Sequence, residues 1–322
     1  MIMKRKGLLK NVLGLGLILF LGVYFTACEE EKKPEPTVDL FITVNGFTID
    51  IAAEAKNTTS WHWEYGDGTV SDSVGSHTHT YATGGDFTIK CTVTGDGGET
   101  IKTETVTIAT IQELLTGGAG AADGKTWVLS RTAGGYDGVG FVKEELVPDY
   151  FFAVNDMLDV LGLPEEYDNE YTFIFDGSYS LDTKNGNVLA GWVYSSIDAD
   201  PGDIVKTTAY GIFQISIPTP ASPTWSLSEN TDLTVESVYD ANDDQEDGVP
   251  ETVTFENVDY ISFTGDGFIG MKDYTSTVII REIAPERMVM TMFFHSYIGN
   301  PATDGGLYLR PSFIMTLSFD KK

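Results

Sequence analysis

Short apolar–polar alternations, interrupted again and again by Gly, Asp and Pro, leave this chain little choice but a β fold. A period of two puts successive side chains on opposite faces, so each run buries one face of a sheet and wets the other. Phe41 to Gly46 and Lys102 to Ile108 are such runs in a first block rich in Thr and Val. From Lys125 onward the strands read as Trp127–Leu129, Tyr171–Tyr179, Val188–Tyr194, Gly211–Ile217, Asp232–Val238, Thr252–Thr264, Thr277–Ile283, Arg287–His295 and Ser312–Phe319. That number of short strands predicts a two-sheet, jelly-roll-like sandwich. One short helix is expected within it. Phe151, Val154, Leu158 and Leu161 recur at helical spacing between Pro148 and Gly162, with Pro164 beyond. The chain is 42% hydrophobic and 12% aromatic, enough for two modest cores.

The N-terminus constrains location. Lys4, Arg5, Lys6 and Lys10 precede an apolar run, Val12 to Tyr24, of signal-peptide length. It ends at Phe25-Thr26-Ala27-Cys28. This resembles the lipobox of bacterial lipoproteins, with Phe25 in the place of the usual Leu, and implies cleavage before a lipidated Cys28. Glu29, Glu30 and Glu31 follow, which resembles the surface-export signal of Bacteroidetes lipoproteins. With Cys28 lipidated, Cys91 has no partner for an intramolecular disulfide and is expected as a small buried residue on a strand. The formal charge is −28, and loss of residues 1–27 takes away four basic residues and no acidic one. A surface so acidic argues against nucleic acid and against anionic lipid, because phosphate contacts need Lys and Arg. The expected organisation is a signal peptide at 1–27, a tether at 28–37, a first domain at 38–109, a linker at 110–124 and a C-terminal sandwich at 125–322. Thr110 to Leu115 reads as a helical turn, and Gly117 to Gly124 as a small-residue linker.

Two stretches carry family resemblances. Trp63-Glu64-Tyr65-Gly66-Asp67-Gly68-Thr69 is followed by His79-Thr80-Tyr81 and Gly85-Asp86-Phe87-Thr88-Ile89. This resembles the PKD domain, an Ig-like sandwich that usually serves as a spacer or scaffold. Trp61, Trp63 and Tyr65 alternate and so share a strand face, and Gly66-Asp67-Gly68 reads as a tight turn needing positive φ. Trp63 is expected in the core. His77 and His79 are two apart, but no carboxylate or cysteine pattern completes a metal site. The second resemblance rests on Lys125-Thr126-Trp127-Val128, Gly134 to Gly140, and Tyr167-Asp168-Asn169-Glu170-Tyr171-Thr172-Phe173. These are similar to the C-terminal module of PKD-bearing Bacteroidetes lipoproteins from glycan-utilisation loci, which implies a surface glycan-binding protein partnered with an outer-membrane importer. Relatives often carry two tryptophans where this chain has Tyr150-Phe151-Phe152, so a ligand contact there is not carried over.

Sugars present apolar ring faces and hydroxyls, which aromatic rings and polar side chains meet together. The candidate platform residues are Trp192 and Tyr194 (one face of a strand), Trp225 beside Pro223, Tyr136 in a Gly-rich loop, and Tyr297. Trp127 is expected in the core. Calcium is a candidate cofactor: Asp240, Asn242, Asp244 and Glu251 stand where a calcium loop places oxygen ligands, although Gln245 replaces its turn glycine. A solvated acidic hairpin loop explains the same residues. The expected function is non-catalytic polysaccharide capture at the outer membrane. One rival is a structural or adhesive lipoprotein that binds proteins. The other is a hydrolase: Glu166, Asp168 and Glu170 fit E-x-D-x-E, which resembles the catalytic strand of family 16 glycoside hydrolases.

Overall fold

The computed structural model describes residues 31–208, 211–240, 245–295, 303 and 305–322. These fall into two compact units, one of residues up to 42, 51–77 and 88–105, the other of residues 43–50, 78–87 and 106–322. Cys28, Asn242, Asp244 and Tyr297 lie outside the described residues, as does the side chain of Asp240.

The N-terminal strands are β1 (Thr37–Asn45), β2 (Thr48–Lys56), β3 (Ser60–Glu64), β4 (Val70–Ser71), β5 (His77–Thr80), β6 (Gly85–Gly95) and β7 (Gly98–Ile108). They form two sheets, β1-β2-β5 and β4-β3-β6-β7. Alternation decides which side chains go inside: Ile49, Ile51 and Ala53 on β2, and Ile89, Cys91 and Val93 on β6, are buried. Trp63 is fully buried, its ring parallel to Trp61 at 5.8 Å and to Tyr65 at 6.5 Å, and Nε1 donates to the Ser73 carbonyl at 2.9 Å. The shared face read from Trp61, Trp63 and Tyr65 is therefore real. His77 is spoken for: Nδ1 lies 2.9 Å from the Gly75 carbonyl, which requires a proton there, so Nε2 accepts from the Tyr65 hydroxyl at 2.7 Å. Gly66 has φ +87, and a Cβ there would sit 2.8 Å from the Thr88 backbone, which is why the turn is glycine. Cys91 is a free, buried thiol, pushed up to about 11 by burial. Residues 33–36 are held rather than loose, with the Glu35 and Pro36 carbonyls accepting from Asn57 and Thr100.

The rest of the chain adds α1 (Ile111–Thr116), β8 (Lys125–Leu129), β9 (Gly138–Phe141), β10 (Phe151–Phe152), α2 (Met157–Leu161), β11 (Glu170–Phe173), β12 (Tyr179–Asp182), β13 (Asn187–Gly191) and α3 (Trp192–Ile197). There follow β14 (Ile204–Thr207), β15 (Ile212–Ser216), β16 (Thr224–Asp240), β17 (Gln245–Thr264), β18 (Met271–Lys272), β19 (Thr277–Ile283), β20 (Arg287–Phe294) and β21 (Phe313–Lys321). The larger sheet runs β12-β11-β8-β21-β20-β19-β17-β16, with β9 and β10 attached beside β21, and the smaller runs β14-β15-β13-β18. Val188, Leu189, Ala190, Ile215 and Met271 of the smaller sheet share a core with Trp127, Tyr171, Phe173, Phe263 and Met290 of the larger, so the domain is the expected β-sandwich. α1 carries a Thr110–Glu113 capping box, and its Ile111 and Leu115 enter that core, where the Leu115 carbonyl accepts from the Trp127 indole at 2.9 Å.

β19, β20 and β21 are apolar on both faces. Val278, Met292 and Met315 point into the main core, while Ile279, Phe293 and Ile314 point the other way, under Phe255, Val142 and Leu146. This second cluster supports the β9–β10 hairpin. The helix expected over 148–162 is shorter than its periodicity suggests. Phe151 and Phe152 pair with Val139 and Gly138 as a strand, Asp156 takes φ +54, and only Met157–Leu161 is helical. The helical turn read at Thr110–Leu115 is found as α1, and α3 is a further short helix that the sequence reading did not include.

Candidate functional site

The β9–β10 hairpin is a flap laid along β21, with Phe141 opposite Phe313 and Gly140 opposite Ile314. Glycine lets the two arms of the hairpin approach each other. A Cβ on Gly138 would lie 2.1 Å from the Phe151 carbonyl oxygen, and one on Gly140 2.0 Å from that of Val147. The Gly-rich sequence therefore builds a strand too close to its neighbour for any other residue. Tyr150 and Phe152 stand out from it, 66% and 65% exposed. Beneath Tyr150 the rings pack together. Tyr150 meets Phe141 edge-on at 5.6 Å and Phe313 at 5.4 Å, and Phe141 stacks on Tyr239 at 4.4 Å. Lys143 lies over Phe141 and Tyr239 and pairs with Asp149 at 2.9 Å. Asp149 also accepts from the Phe141 amide, pinning the flap. The result is a rigid aromatic ledge edged by Lys143, Glu144, Glu145 and Asp149. Such a ledge offers ring faces and polar groups side by side, the combination that a sugar presents in complement.

Of the residues singled out from sequence, Tyr136 belongs to this hairpin. It precedes Gly138, the partner of Phe152, is 40% exposed, and lies under the Arg281 guanidinium at 4.9 Å. Trp192 and Tyr194 lie elsewhere and are not on a strand. β13 ends at Gly191 and both belong to α3, where residues two apart point in different directions. Trp192 is 47% exposed, while Tyr194 is partly covered by Tyr274 at 5.4 Å. Trp225 is not a platform. It is 6% exposed, edge-on to Phe173 at 5.5 Å, with its indole N–H donated to the Ile174 carbonyl, because β16 turns it inward opposite Phe263. The sequence reading noted Tyr150-Phe151-Phe152 but gave it no ligand role and placed Phe151 on a helix. The signal that locates the ring ledge is the Gly-x-Gly of β9.

Of the calcium-loop candidates, Asn242, Asp244 and the Asp240 side chain lie outside the described residues. Asp240 pairs with Gln245 at a hairpin tip, but Glu251 pairs with Ser237, several residues down the ladder. Ser237 lies three residues along β16 from Asp240, about 10 Å at 3.3 Å per residue. Among the described residues no group of three His, Cys, Asp or Glu side chains could hold a metal. The three carboxylates of the E-x-D-x-E motif also diverge. Pro164–Asp168 is a turn of 3₁₀ helix and the strand begins only at Glu170, so alternation does not align them. Asp168 faces solvent, and Glu170 pairs with Lys184 at 2.8 Å and with Lys322.

Glu166 is 1% exposed and accepts from Gln214 and Asn169. Burial, only partly offset by the Gln214 hydrogen bond, pushes its carboxyl up to about 7. The folded state then holds a proton that the unfolded chain, at its ordinary 4.5, gives up. This contribution is present below about pH 4.5 and is lost as pH rises toward 7, on the order of 3 kcal/mol in all. Urea unfolding near pH 5 and pH 8 checks it: Glu166→Gln should lose less stability between the two than wild type. Equal losses would contradict it.

Residues 42–110 match the family model of the PKD domain. This region is a PKD domain. Two solved PKD1 domains are similar to the chain. That of Vibrio anguillarum Epp is 21% identical, covering 24% of this chain and 96% of its own, with a TM-score of 0.23. That of the Vibrio cholerae metalloprotease PrtV is 23% identical, covering 24% and 100%, also at 0.23. A structure of carbohydrate-binding modules from the β-sandwich superfamily is 10% identical, covering 90% of this chain and 93% of that one, at 0.24. No curated protein matches the chain. No helix among the described residues is long and apolar enough to cross a membrane.

Proposed function

We propose that this chain is a non-catalytic, lipid-anchored protein that captures neutral polysaccharide at the cell surface, with the β9–β10 flap as its platform. The observation that carries the reading is the pair of rings at Tyr150 and Phe152, both two-thirds exposed, with Tyr150 seated edge-on against Phe141 and Phe313. Soluble surfaces hide large rings unless something covers them. The formal charge of −28 and the acidic edge of the ledge favour an uncharged polymer over an anionic one. Capture proceeds by stacking of pyranose faces on Tyr150 and Phe152, with Asp149, Lys143 and Tyr136 sorting hydroxyls. Lipid on Cys28 keeps the PKD domain as a spacer at the outer membrane. There the bound polymer is concentrated beside an importer complex. Retention of the chain in polysaccharide-containing gels tests the capture. Loss of the Cys28→Ala chain from the membrane fraction tests the anchor, and undiminished retention of that variant would overturn it.

A protein partner is the second reading. It is favoured by Val147 and Val154, 42% and 54% exposed on either side of the rings. It predicts no retention by any polysaccharide.

A further inference from the structure

Arg281 is the extra residue of a β-bulge. β19 and β20 pair Ile280 with Met290 but Glu282 with Val289, so Arg281 has no residue opposite it. The bulge shifts the alternation. Ile280 and Ile283, three apart, both pack on the main core, while Ile279 faces the other way. A bulge re-aims a side chain. Here the guanidinium comes to lie over the Tyr136 ring, 4.9 Å from its centroid. Arg281 is half-buried, and Tyr136 is 40% exposed.

The guanidinium is also uncommitted. The chain has 48 acidic residues against 20 Lys and Arg, and the other described arginines each hold a carboxylate. Arg131 holds those of Asp156 and Asp159, Arg287 that of Asp320, and Arg310 that of Glu236. Among the described residues Arg281 has the ring contact but no hydrogen bond and no ion pair. Its N–H fork is left without a protein acceptor. The place is the continuation of the ledge. Gly138 pairs with Phe152, the Asp137 carbonyl accepts from the Ala153 amide at 2.9 Å, and Tyr136 comes next. Two residues of hairpin put Tyr136 about 7 Å along from Phe152, within reach of the neighbouring sugar on a polymer stacked there.

A guanidinium only donates, so the ligand must accept. Glu144, Glu145 and Asp149 at the ledge, with a formal charge of −28, oppose an anionic polymer. Hydroxyl oxygens are the acceptors that remain, and two parallel N–H groups of the fork match two adjacent hydroxyls of one sugar. We propose that Arg281 is a specificity-determining contact of the flap site, donating to a pair of vicinal hydroxyls on the sugar next to the one stacked on Phe152. Tyr136 holds it in position. Its ligand is the neutral polymer of the flap reading, on which this assignment rests.

Two measurements on the full chain test it, using mixed-linkage β-glucan, xylan, galactomannan and xyloglucan, with alginate as the anionic control. The first is retention in affinity gels. Arg281→Lys keeps the charge and loses the fork, and should weaken retention by the neutral polymers that retain wild type about tenfold, with an unchanged urea midpoint. The second is labelling with phenylglyoxal, which modifies guanidinium groups, read at each arginine by mass spectrometry. A retaining polymer should slow labelling of Arg281 and leave Arg287, held by Asp320 and the Thr132 carbonyl, unchanged. An Arg281→Lys chain retained like wild type, an Arg281 that no retaining polymer protects, or tighter retention by alginate than by any neutral polymer would overturn the proposal. Loss of retention on changing Tyr150 and Phe152 to Ala, with no effect of Arg281→Lys, would strike this contact alone. The converse would strike the flap rings and uphold Arg281. Free migration of wild type through every polymer would overturn both.

Discussion

Changing Tyr150 and Phe152 together to Ala is expected to abolish retention by polysaccharide while leaving the fold intact. Exposed aromatic anchors at binding surfaces cost about 2 kcal/mol or more each on truncation. Losing both therefore weakens binding at least about 100-fold. The same substitutions should change stability little, because neither side chain is part of a buried cluster and surface replacements stay within about 0.5 kcal/mol. Unchanged urea midpoints with lost binding would place the ligand on the flap. A folded double variant that binds like wild type would move the ligand elsewhere on the sandwich.

Trp225→Ala should do the reverse. A buried Trp truncated to Ala costs about 3–5 kcal/mol, a large share of the roughly 5–15 kcal/mol that holds a domain together. Here the substitution opens a hole beside Phe173 and also leaves the Ile174 carbonyl without the indole N–H that it accepts from. Thermal denaturation should fall by roughly 10 °C or more for the sandwich. Trp225→Phe should fall less, since it refills part of the space but not the hydrogen bond. A stable Trp225→Ala chain with weakened glycan binding would contradict the packing and restore Trp225 as a contact residue.

Strand positions were legible because burial on one face imposes a period of two. Thr277–Ile283 is found as read, and Arg287–His295 and Ser312–Phe319 differ from the observed strands by one or two residues. The PKD motif was legible because its glycines and rings are each demanded by a contact, as Gly66 is by Thr88. What failed did so for specific reasons. Helical spacing at Phe151, Val154, Leu158 and Leu161 was coincidence over its first half, where pairing with β9 won. Alternation through Val188–Tyr194 stopped at Gly191, since β13 runs out of partner at Ile212 and the chain turns into α3. Proximity to proline suggested an exposed Trp225, yet its place in the β16–β17 ladder turned it inward. Sequence shows which residues are aromatic. Which of them are covered depends on long-range register, such as Phe141 against Phe313, that no local pattern encodes.

Affinity electrophoresis of the purified chain tests the central claim most directly, using gels that contain a panel of plant, algal and microbial polysaccharides, with and without calcium. Capture predicts selective retardation on a neutral polymer, independent of calcium, with the polymer's length unchanged. Free migration across the whole panel would contradict it and favour a protein partner, and shortening of the polymer would show that the chain is a hydrolase after all.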